Sequence, residues 1–222
     1  MSGSEHDETP GGSAAQPGTP PDFASRDPNS PDFWDERFEK HFTPWDKAGT
    51  PADFAAFAAQ RLTEPVVVPG CGNAWEVLWL AERGAPVHAI DFAANAVAAA
   101  RTQLGRYASA VEQADFFAWQ PPVAPAWIYE RAFLCALPLA RRADYARRMA
   151  ELLGDGALLA GFFFLGATPK GPPFGIERAE LDALLAPYFE LVDDRPVADS
   201  IPVFAGRERW MTWRRRAATA VR

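Results

Sequence analysis

The amino-acid sequence predicts an α/β fold in which a parallel sheet is covered by helices on both faces. From residue 64 to residue 213, short apolar runs alternate with longer segments of helical periodicity, a pattern typical of strand–helix–strand units. The short runs are apolar throughout, as expected for parallel strands that are buried on both faces. Glycines and acidic residues follow several of these runs, at the sheet edge where such folds bind their ligands.

Residues 1–30 are predicted to form a disordered N-terminal tail. They are rich in Gly, Ser, Pro and acidic residues and have almost no large apolar side chains, so burial cannot offset the entropy cost of ordering them. Aromatic residues then arrive together and mark the start of the folded domain: Phe33, Trp34, Phe38, Phe42 and Trp45. The predicted domain covers residues 31–216, and residues 217–222 form a short C-terminal tail.

Seven strands and four helices are predicted after residue 64. The strands lie at residues 66–68, 87–90, 110–113, 126–129, 157–164, 189–193 and 208–213. The helices lie at residues 75–83, 93–104, 141–153 and 177–186. The order of these segments places a helix between most pairs of successive strands, which favours parallel pairing.

Composition and charge narrow the function classes. The net charge of −7 disfavours a general nucleic-acid-binding protein, which needs a basic face. The arginines between residues 207 and 216 are interpreted as a solvated strand edge and tail. No apolar run is long enough to span a bilayer, and no signal peptide is recognisable.

The two cysteines, Cys71 and Cys135, lie neither in a CxxC pair nor near a histidine cluster. We therefore expect no metal site and two reduced, packed thiols. Together with the absence of a targeting segment, this predicts a cytoplasmic protein. A monomer is the simplest expectation for its oligomeric state.

The first candidate motif is the glycine turn of residues 68–74, Val-Pro-Gly-Cys-Gly-Asn-Ala. A glycine turn between a strand and a helix lets the backbone approach a ligand and points helix N–H groups at it. A tight turn without any ligand is the alternative. Trp75 occupies the place of the third glycine in the dinucleotide fingerprint, so a nucleoside fits this turn better than a pyrophosphate does.

The next two motifs end the second and third predicted strands. Asp91, followed by Phe92, stands where an acid commonly binds ribose hydroxyls, although it could instead cap the next helix. Asp115 and Phe116 suit an adenine, because a carboxylate accepts from the exocyclic amine and an aromatic wall covers the ring. The alternative for this pair is an ordinary loop with core aromatics.

Glu130 and Arg131 place two opposite charges between apolar runs at the end of the fourth predicted strand. Buried charges need partners. The functional interpretation puts both residues on the floor of a cavity, as candidate catalytic residues. The alternative is a local salt bridge between them.

Together, these segments resemble the thiopurine S-methyltransferase family, including its bacterial thiol methyltransferase and halide methyltransferase relatives, from about residue 32 to residue 215. The resemblance rests on an ordered set of motifs: Phe33-Trp34 with Arg37, Thr43-Pro44-Trp45-Asp46, the turn at 68–72, Asp91, Asp115-Phe116-Phe117, residues 130–136 and Gly171-Pro172-Pro173-Phe174. It implies a seven-stranded class I methyltransferase sheet with an antiparallel last strand. It also implies the cofactor S-adenosylmethionine.

The resemblance implies a role for each candidate residue. Three residues line the methionine portion of the cofactor: Gly70, Cys71 and Gly72. Asp91 binds the ribose, Asp115 with Phe116 binds the adenine, and Arg131 lies where cofactor and acceptor meet. An N-terminal lid segment at residues 31–60 closes over the site and carries three further candidates: Trp34, Phe38 and Trp45.

Two positions depart from the family pattern. Residues 73–76 read Asn-Ala-Trp-Glu where relatives often have Gly followed shortly by Asp, so Glu76 is the candidate replacement acid. Glu130 stands where many relatives have Asp. Both departures bear on how well the cofactor is held.

The expected reaction is methyl transfer from S-adenosylmethionine to a small soft nucleophile, with a thiol sulfur favoured. Thiopurines, small thiols, halide or thiocyanate ions, and selenium or tellurium species all fit the resemblance. A nicotinamide-dependent oxidoreductase is one alternative, since it shares the strand–turn–helix and the acid. A methyltransferase-like binding protein without catalysis is the other.

Overall fold

The apolar runs of the sequence become seven strands of a single sheet in the computed structural model, which describes residues 21–217. The strands are β1 (Val66–Pro69), β2 (Val87–Asp91), β3 (Val111–Gln113), β4 (Trp127–Arg131), β5 (Leu158–Phe164), β6 (Phe189–Pro196) and β7 (Glu208–Arg215). Their order is β3-β2-β1-β4-β5-β7-β6. The first five pair in parallel, and β7 is antiparallel to both β5 and β6. The predicted α/β sheet with an antiparallel last strand is confirmed.

Within the described residues, six α-helices pack around the sheet: α1 (Pro31–Glu39), α2 (Ala52–Ala58), α3 (Trp75–Glu82), α4 (Ala94–Leu104), α5 (Arg142–Leu152) and α6 (Arg178–Leu185). The four predicted helices are α3 to α6. Helices α1 and α2 were not predicted, although α1 begins with a recognisable signal. The Ser30 hydroxyl accepts from the backbone N–H of Asp32, and Pro31 occupies the first helical position.

Each face of the sheet supports its own hydrophobic core. On one face Ile128 packs with Tyr145 and Met149 of α5, while on the other face Tyr129 packs with Phe54 of α2. Successive side chains of a strand point to opposite faces. The same alternation continues to the end of β4 and decides where its two charged residues lie.

Residues 21–30 pack against α1 instead of extending the predicted tail. The ring of Phe23 is buried and lies 5.4 Å from that of Phe42 and 4.2 Å from the Arg37 guanidinium carbon. The backbone N–H groups of Ala24 and Ser25 each donate to the Glu36 carboxylate at 2.9 Å. The predicted tail boundary at residue 30 is therefore wrong for residues 21–30. The rest of both predicted tails, residues 1–20 and 218–222, lies outside the described residues.

Helix α2, in the second half of the predicted lid, packs in the core and does not cover the sheet edge. Phe54 on α2 is fully buried, with its ring 4.5 Å from that of Tyr129, so α2 belongs to the core of the domain. The residues that reach over the sheet edge from the N-terminal side lie between 26 and 49. We call residues 26–49 the cap segment. Within residues 21–217, no helix is both long enough and apolar enough to cross a bilayer.

Candidate active site

A cavity of about 930 Å³ opens at the carboxyl ends of the parallel strands. Ligand pockets commonly measure roughly 300–1,000 Å³, so this one has room for a nucleoside-sized cofactor together with a small acceptor. Its walls come from the cap segment, from the ends of β1 to β4, and from the loops that flank β5 and β7. The sheet edge predicted to carry the site is therefore the edge at which the cavity lies.

The glycine turn after β1 forms one wall of this cavity. Gly70 and Gly72 have positive φ angles of 60° and 51°, and both line the cavity with Cys71. A Cβ atom on Gly70 would lie 2.6 Å from the ring of Phe133. Backbone conformation and close packing thus both require a residue without a side chain at Gly70.

Asp91 lies at the end of β2, beside that turn. Its Oδ2 accepts from the backbone N–H of Gly72 and its Oδ1 from that of Ala93, each at 3.1 Å. A carboxylate has further lone pairs that can accept from hydroxyl groups. Burial raises the pKa of Asp91 to about 6. The N-cap position of α4 is Ala93, so Asp91 fixes the turn and the strand end and is not the helix cap.

Phe92 and the motif after β3 line the same side of the cavity. Asp115 is exposed at the cavity wall, and its Oδ1 accepts from the backbone N–H of Phe117 at 2.9 Å. Phe116 is buried, with ring centroids 5.0 Å from Phe133 and 5.3 Å from Phe117. The structure thus brings the predicted acid and aromatic wall together, and it adds Phe117 and Phe133 to that wall.

Arg131 reaches the cavity from the last position of β4. Its Nε lies 3.9 Å from Oε1 of Glu76, and its guanidinium carbon lies 4.7 Å from the ring centroid of Phe162. The Tyr129 hydroxyl donates to the same Glu76 oxygen at 3.0 Å. Burial raises the pKa of Glu76, and the Arg131 charge opposes that shift. Glu76, the candidate replacement acid, therefore lines the cavity and lies within ion-pair distance of Arg131.

Glu130 does not lie on the cavity floor, and the interpretation that placed it there is wrong. Its side chain points to the opposite face, where Oε2 accepts from the Tyr145 hydroxyl at 2.6 Å. Oε1 accepts from the backbone N–H groups of Phe133 at 2.9 Å and Leu134 at 3.0 Å. Burial raises the pKa of Glu130 to about 7.

The salt bridge between Glu130 and Arg131 that was the alternative does not form either. The fourth strand was predicted to end at residue 129, whereas β4 continues to Arg131. Neighbouring residues within a strand point to opposite faces. Glu130 therefore fixes the turn after β4 from behind, while Arg131 enters the cavity.

Aromatic residues of the cap segment close the cavity. Trp34, Phe38 and Trp45 all line it, and the ring centroid of Trp45 lies 5.5 Å from Trp34 and 6.3 Å from Phe38. The position of all three predicted lid aromatics is thus compatible with the role that the resemblance implies. Whether they contact the cofactor remains a prediction.

Polar contacts fasten the cap segment to the sheet edge. The Asn73 amide donates to the Asp46 carboxylate, and the backbone N–H of Asn95 donates to Asp35 at 2.6 Å. Asp46 belongs to the Thr-Pro-Trp-Asp motif, but no role was predicted for it. Arg141 and Lys170 also line the cavity; neither was a predicted site residue, because neither belongs to a sequence motif.

The two cysteines are free thiols. Cys71 lines the cavity, and burial raises the pKa of its thiol well above the usual range. A thiol in this state is a weak nucleophile. Among residues 21–217, no group of three or more His, Cys, Asp or Glu side chains is arranged to hold a metal ion.

Comparison with solved structures identifies the class of fold. A 1,6-didemethyltoxoflavin-N1-methyltransferase of Burkholderia thailandensis, with bound S-adenosylhomocysteine, superposes with a TM-score of 0.69 at 17% identity. The match covers 89% of this chain and 94% of that one. The N-methyltransferase NodS of Bradyrhizobium japonicum, also in complex with S-adenosylhomocysteine, superposes with a TM-score of 0.60 at 14% identity and covers 72% and 82% of the two chains. The fold is that of class I S-adenosylmethionine-dependent methyltransferases.

Sequence comparison identifies the family. Residues 29–216 match the family described as Thiopurine S-methyltransferase. Thiocyanate methyltransferase 1 of Arabidopsis thaliana is 28% identical over 192 residues, covering 82% of this chain and 84% of its own length. Thiopurine S-methyltransferase of Vibrio atlanticus (strain LGP32) is 28% identical over 194 residues, covering 77% and 88%. The chain belongs to the thiopurine S-methyltransferase family, whose members are S-adenosylmethionine-dependent methyltransferases.

Proposed function

We propose that this chain transfers the methyl group of S-adenosylmethionine to the sulfur of a small-molecule thiol. One observation carries the proposal: a single cavity joins the glycine turn and Asp91 to Arg131 and to the aromatic residues of the cap segment. Family membership supports a methyltransferase and leaves the nicotinamide-dependent oxidoreductase without support.

The residues of the cavity fit the proposed cofactor. Asp91 offers acceptor lone pairs suited to the two ribose hydroxyls. At Gly72, a Cβ atom would have only the Phe38 ring within 4 Å, so the backbone of the turn is open to the cavity at this residue. The indole Nε1 of Trp75, a residue that lines the cavity, is buried and has no hydrogen-bond partner within the described protein. Such an unpaired donor suits a ligand with acceptor atoms.

When bound, S-adenosylmethionine supplies an electrophilic methyl group on a positively charged sulfur. Asp91 and the glycine turn would hold the cofactor while the acceptor sulfur receives this methyl group, and the thiol proton of the acceptor would go to solvent. In this chain, the cap aromatics exclude water and Arg131 orients the groups that meet at the end of β4.

No histidine is required as a base in this proposal. Neither His41 nor His88, the two histidines within residues 21–217, lines the cavity. A thiol is partly ionised near neutral pH and needs little general-base assistance. A sulfur acceptor therefore fits the side chains of the cavity better than an alcohol acceptor does.

The proposal is tested by titrating S-adenosylhomocysteine into the protein and by measuring its release from S-adenosylmethionine with a panel of thiols. We expect saturable binding of S-adenosylhomocysteine, no binding of NAD, and turnover with at least one thiol. Binding without turnover on any thiol, halide or thiocyanate would instead support the methyltransferase-like binding protein. Turnover on a non-sulfur acceptor alone would contradict the sulfur assignment.

A further inference from the structure

Acidic and basic residues of the cavity lie near different strands of the sheet. The acids lie beside the cap and the ends of β1 to β3: Asp46, Glu76, Asp91 and Asp115. Three cations lie at the end of β4 or in the segments that follow β4 and β5: Arg131, Arg141 and Lys170. No acidic residue from the stretch after β4 or β5 lines the cavity. The half over β1 to β3, which we call the acidic half, suits hydroxyl and amino groups, and the half over β4 and β5, which we call the basic half, suits an anion.

The cations of the cap segment that line the cavity do not extend the basic half. Lys47 pairs with Asp199, and the side chain of Arg26 is 76% exposed, beside an even more exposed Asp22. Arg37 donates to the backbone carbonyl of Phe33 at 2.6 Å and stacks on its ring.

The two outer cations of the basic half are less engaged. Arg141 lies over the Phe117 ring, with 3.8 Å from its guanidinium carbon to the ring centroid, and its partner Asp144 is 3.5 Å away. The side chain of Arg141 is 36% exposed, so this pair is partly screened. Lys170 is exposed and forms no ion pair with any residue in the described part of the chain.

We propose that Arg141 and Lys170 are specificity-determining residues that select a thiol acceptor carrying a carboxylate. The inference rests on the proposed function and names the chemical class of its acceptor. Arg141, which lies over the Phe117 ring, has N–H donors whose planar arrangement matches a carboxylate. Lys170 adds a second positive charge from the loop after β5.

The position of the two cations separates recognition from chemistry. Arg131 lies at the end of β4, 3.9 Å from Glu76. Arg141 lies ten residues further along the chain, after the turn that Glu130 stabilises and just before α5. An acceptor spanning the basic half would place its carboxylate at Arg141 and Lys170 and its sulfur towards Arg131. Its recognition then depends on charge at a site distinct from the reacting sulfur.

A pair of matched acceptors tests the proposal: 4-mercaptobenzoate, which carries the carboxylate, and thiophenol, which lacks it. Both are compared at a pH above their thiol pKa values, so that both react as thiolates. We expect the wild-type protein to prefer 4-mercaptobenzoate in kcat/KM. Arg141→Gln and Lys170→Gln should each reduce that preference roughly three- to fivefold, and the double variant about tenfold.

Arg147→Gln is the matched control. Arg147 lies on α5, shares the partner Asp144 at 2.8 Å, and does not line the cavity. Its replacement should leave the preference unchanged. All variants should bind S-adenosylhomocysteine as the wild type does, because the acidic half is untouched.

Equal wild-type kcat/KM for the two thiols, or a preference that survives in the double variant, would overturn the proposal. A protein that turns over neither thiol is examined by binding. In the presence of S-adenosylhomocysteine, 4-(methylthio)benzoate should bind more tightly than thioanisole, and the double variant should lose this difference. If the wild type shows this binding difference and the double variant loses it, the anion site is supported; if in addition no thiol of the panel is turned over, S-methylation is contradicted. Equal binding of both probes to the wild type contradicts the anion site itself.

Discussion

The two halves of the cavity are fixed by different kinds of contact. In the acidic half, Asp91 and Asp115 each accept a backbone N–H from the residue two positions further along the chain. In the basic half, Arg131 lies 3.9 Å from Glu76, and that carboxylate also accepts from Tyr129, which is 53 residues away in sequence. Local turns therefore contribute to the acidic half, where Asp91 also accepts from Gly72, 19 residues away, whereas the contacts of Arg131 depend on the assembly of the sheet.

The largest effect is expected from Gly70→Ala in the acidic half. The positive φ of Gly70 disfavours a side chain by about 1–2 kcal/mol, and the contact at 2.6 Å with the Phe133 ring adds roughly 1–3 kcal/mol of overpacking. We expect a fall of several kcal/mol in the free energy of unfolding, measured in urea. S-Adenosylhomocysteine affinity should also be lost.

Gly84→Ala is the control for backbone strain alone. Gly84 has a similar φ of 73°, and a Cβ atom there would meet nothing within 4 Å. Its replacement should cost about 1–2 kcal/mol and leave cofactor affinity intact. If both variants lose the same stability and both still bind, the packing of Phe133 on the turn is unimportant.

The next effect concerns Glu130, which binds the turn after β4 from the face of the sheet opposite Arg131. Burial raises its pKa from 4.5 to about 7, so the folded protein holds a proton that the unfolded chain releases at lower pH. The stability from this group is present below pH 4.5 and is lost as the pH rises through 7. It amounts to about 3 kcal/mol at most.

Glu130→Gln should flatten this part of the pH dependence, because glutamine does not titrate. The free energy of unfolding is measured in urea at several pH values for the wild type, for Glu130→Gln and for Glu190→Gln. Glu190 is an exposed residue of β6 and serves as the control. Parallel curves for the wild type and Glu130→Gln would show that the Glu130 carboxyl does not titrate in this range.

Asp91→Ala is expected to weaken S-adenosylhomocysteine binding by roughly 1.5–3 kcal/mol, the usual contribution of a hydrogen bond to a charged group. Burial raises the pKa of Asp91 to about 6, and only the ionised form accepts from both ribose hydroxyls. Affinity in the wild type should therefore fall as the pH is lowered through 6, and the variant should lack this dependence. Calorimetric titration measures both. Unaltered affinity in a destabilised variant would assign Asp91 a purely structural role.

The smallest expected effect is a loss of turnover of about tenfold in Arg131→Lys, or roughly 1.4 kcal/mol. Lysine keeps the charge but loses the planar set of donors. Turnover is measured per folded molecule, with S-adenosylhomocysteine affinity determined in parallel. We expect unchanged affinity and near-normal stability, in contrast to Asp91→Ala. A variant with wild-type specific activity would remove Arg131 from the reaction and end the distinction between the two halves.

Glu130 and Arg131 show that the end of a strand, and with it the direction of a side chain, could not be predicted from the sequence. Both were assigned to the cavity because the fourth strand was predicted to end before them. Because β4 includes these two residues, their side chains point to opposite faces of the sheet: Glu130 to the face of Tyr145, and Arg131 into the cavity. Strand ends are the least certain part of such predictions, and here a shift of two residues decides between a support and a site residue.

The sequence by itself determined the α/β fold, the glycine turn, and the positions of Asp91 at the end of β2 and Asp115 after β3, because each depends on local periodicity and turn chemistry. Only the tertiary structure decided which side chains meet across the cavity. Phe23 packs against the folded domain because Phe42 and Arg37 lie close enough to bury its ring. Arg141 and Lys170 line the cavity because the segments that carry them meet at one edge of the sheet. No pattern along the chain shows which distant segments come together in the fold.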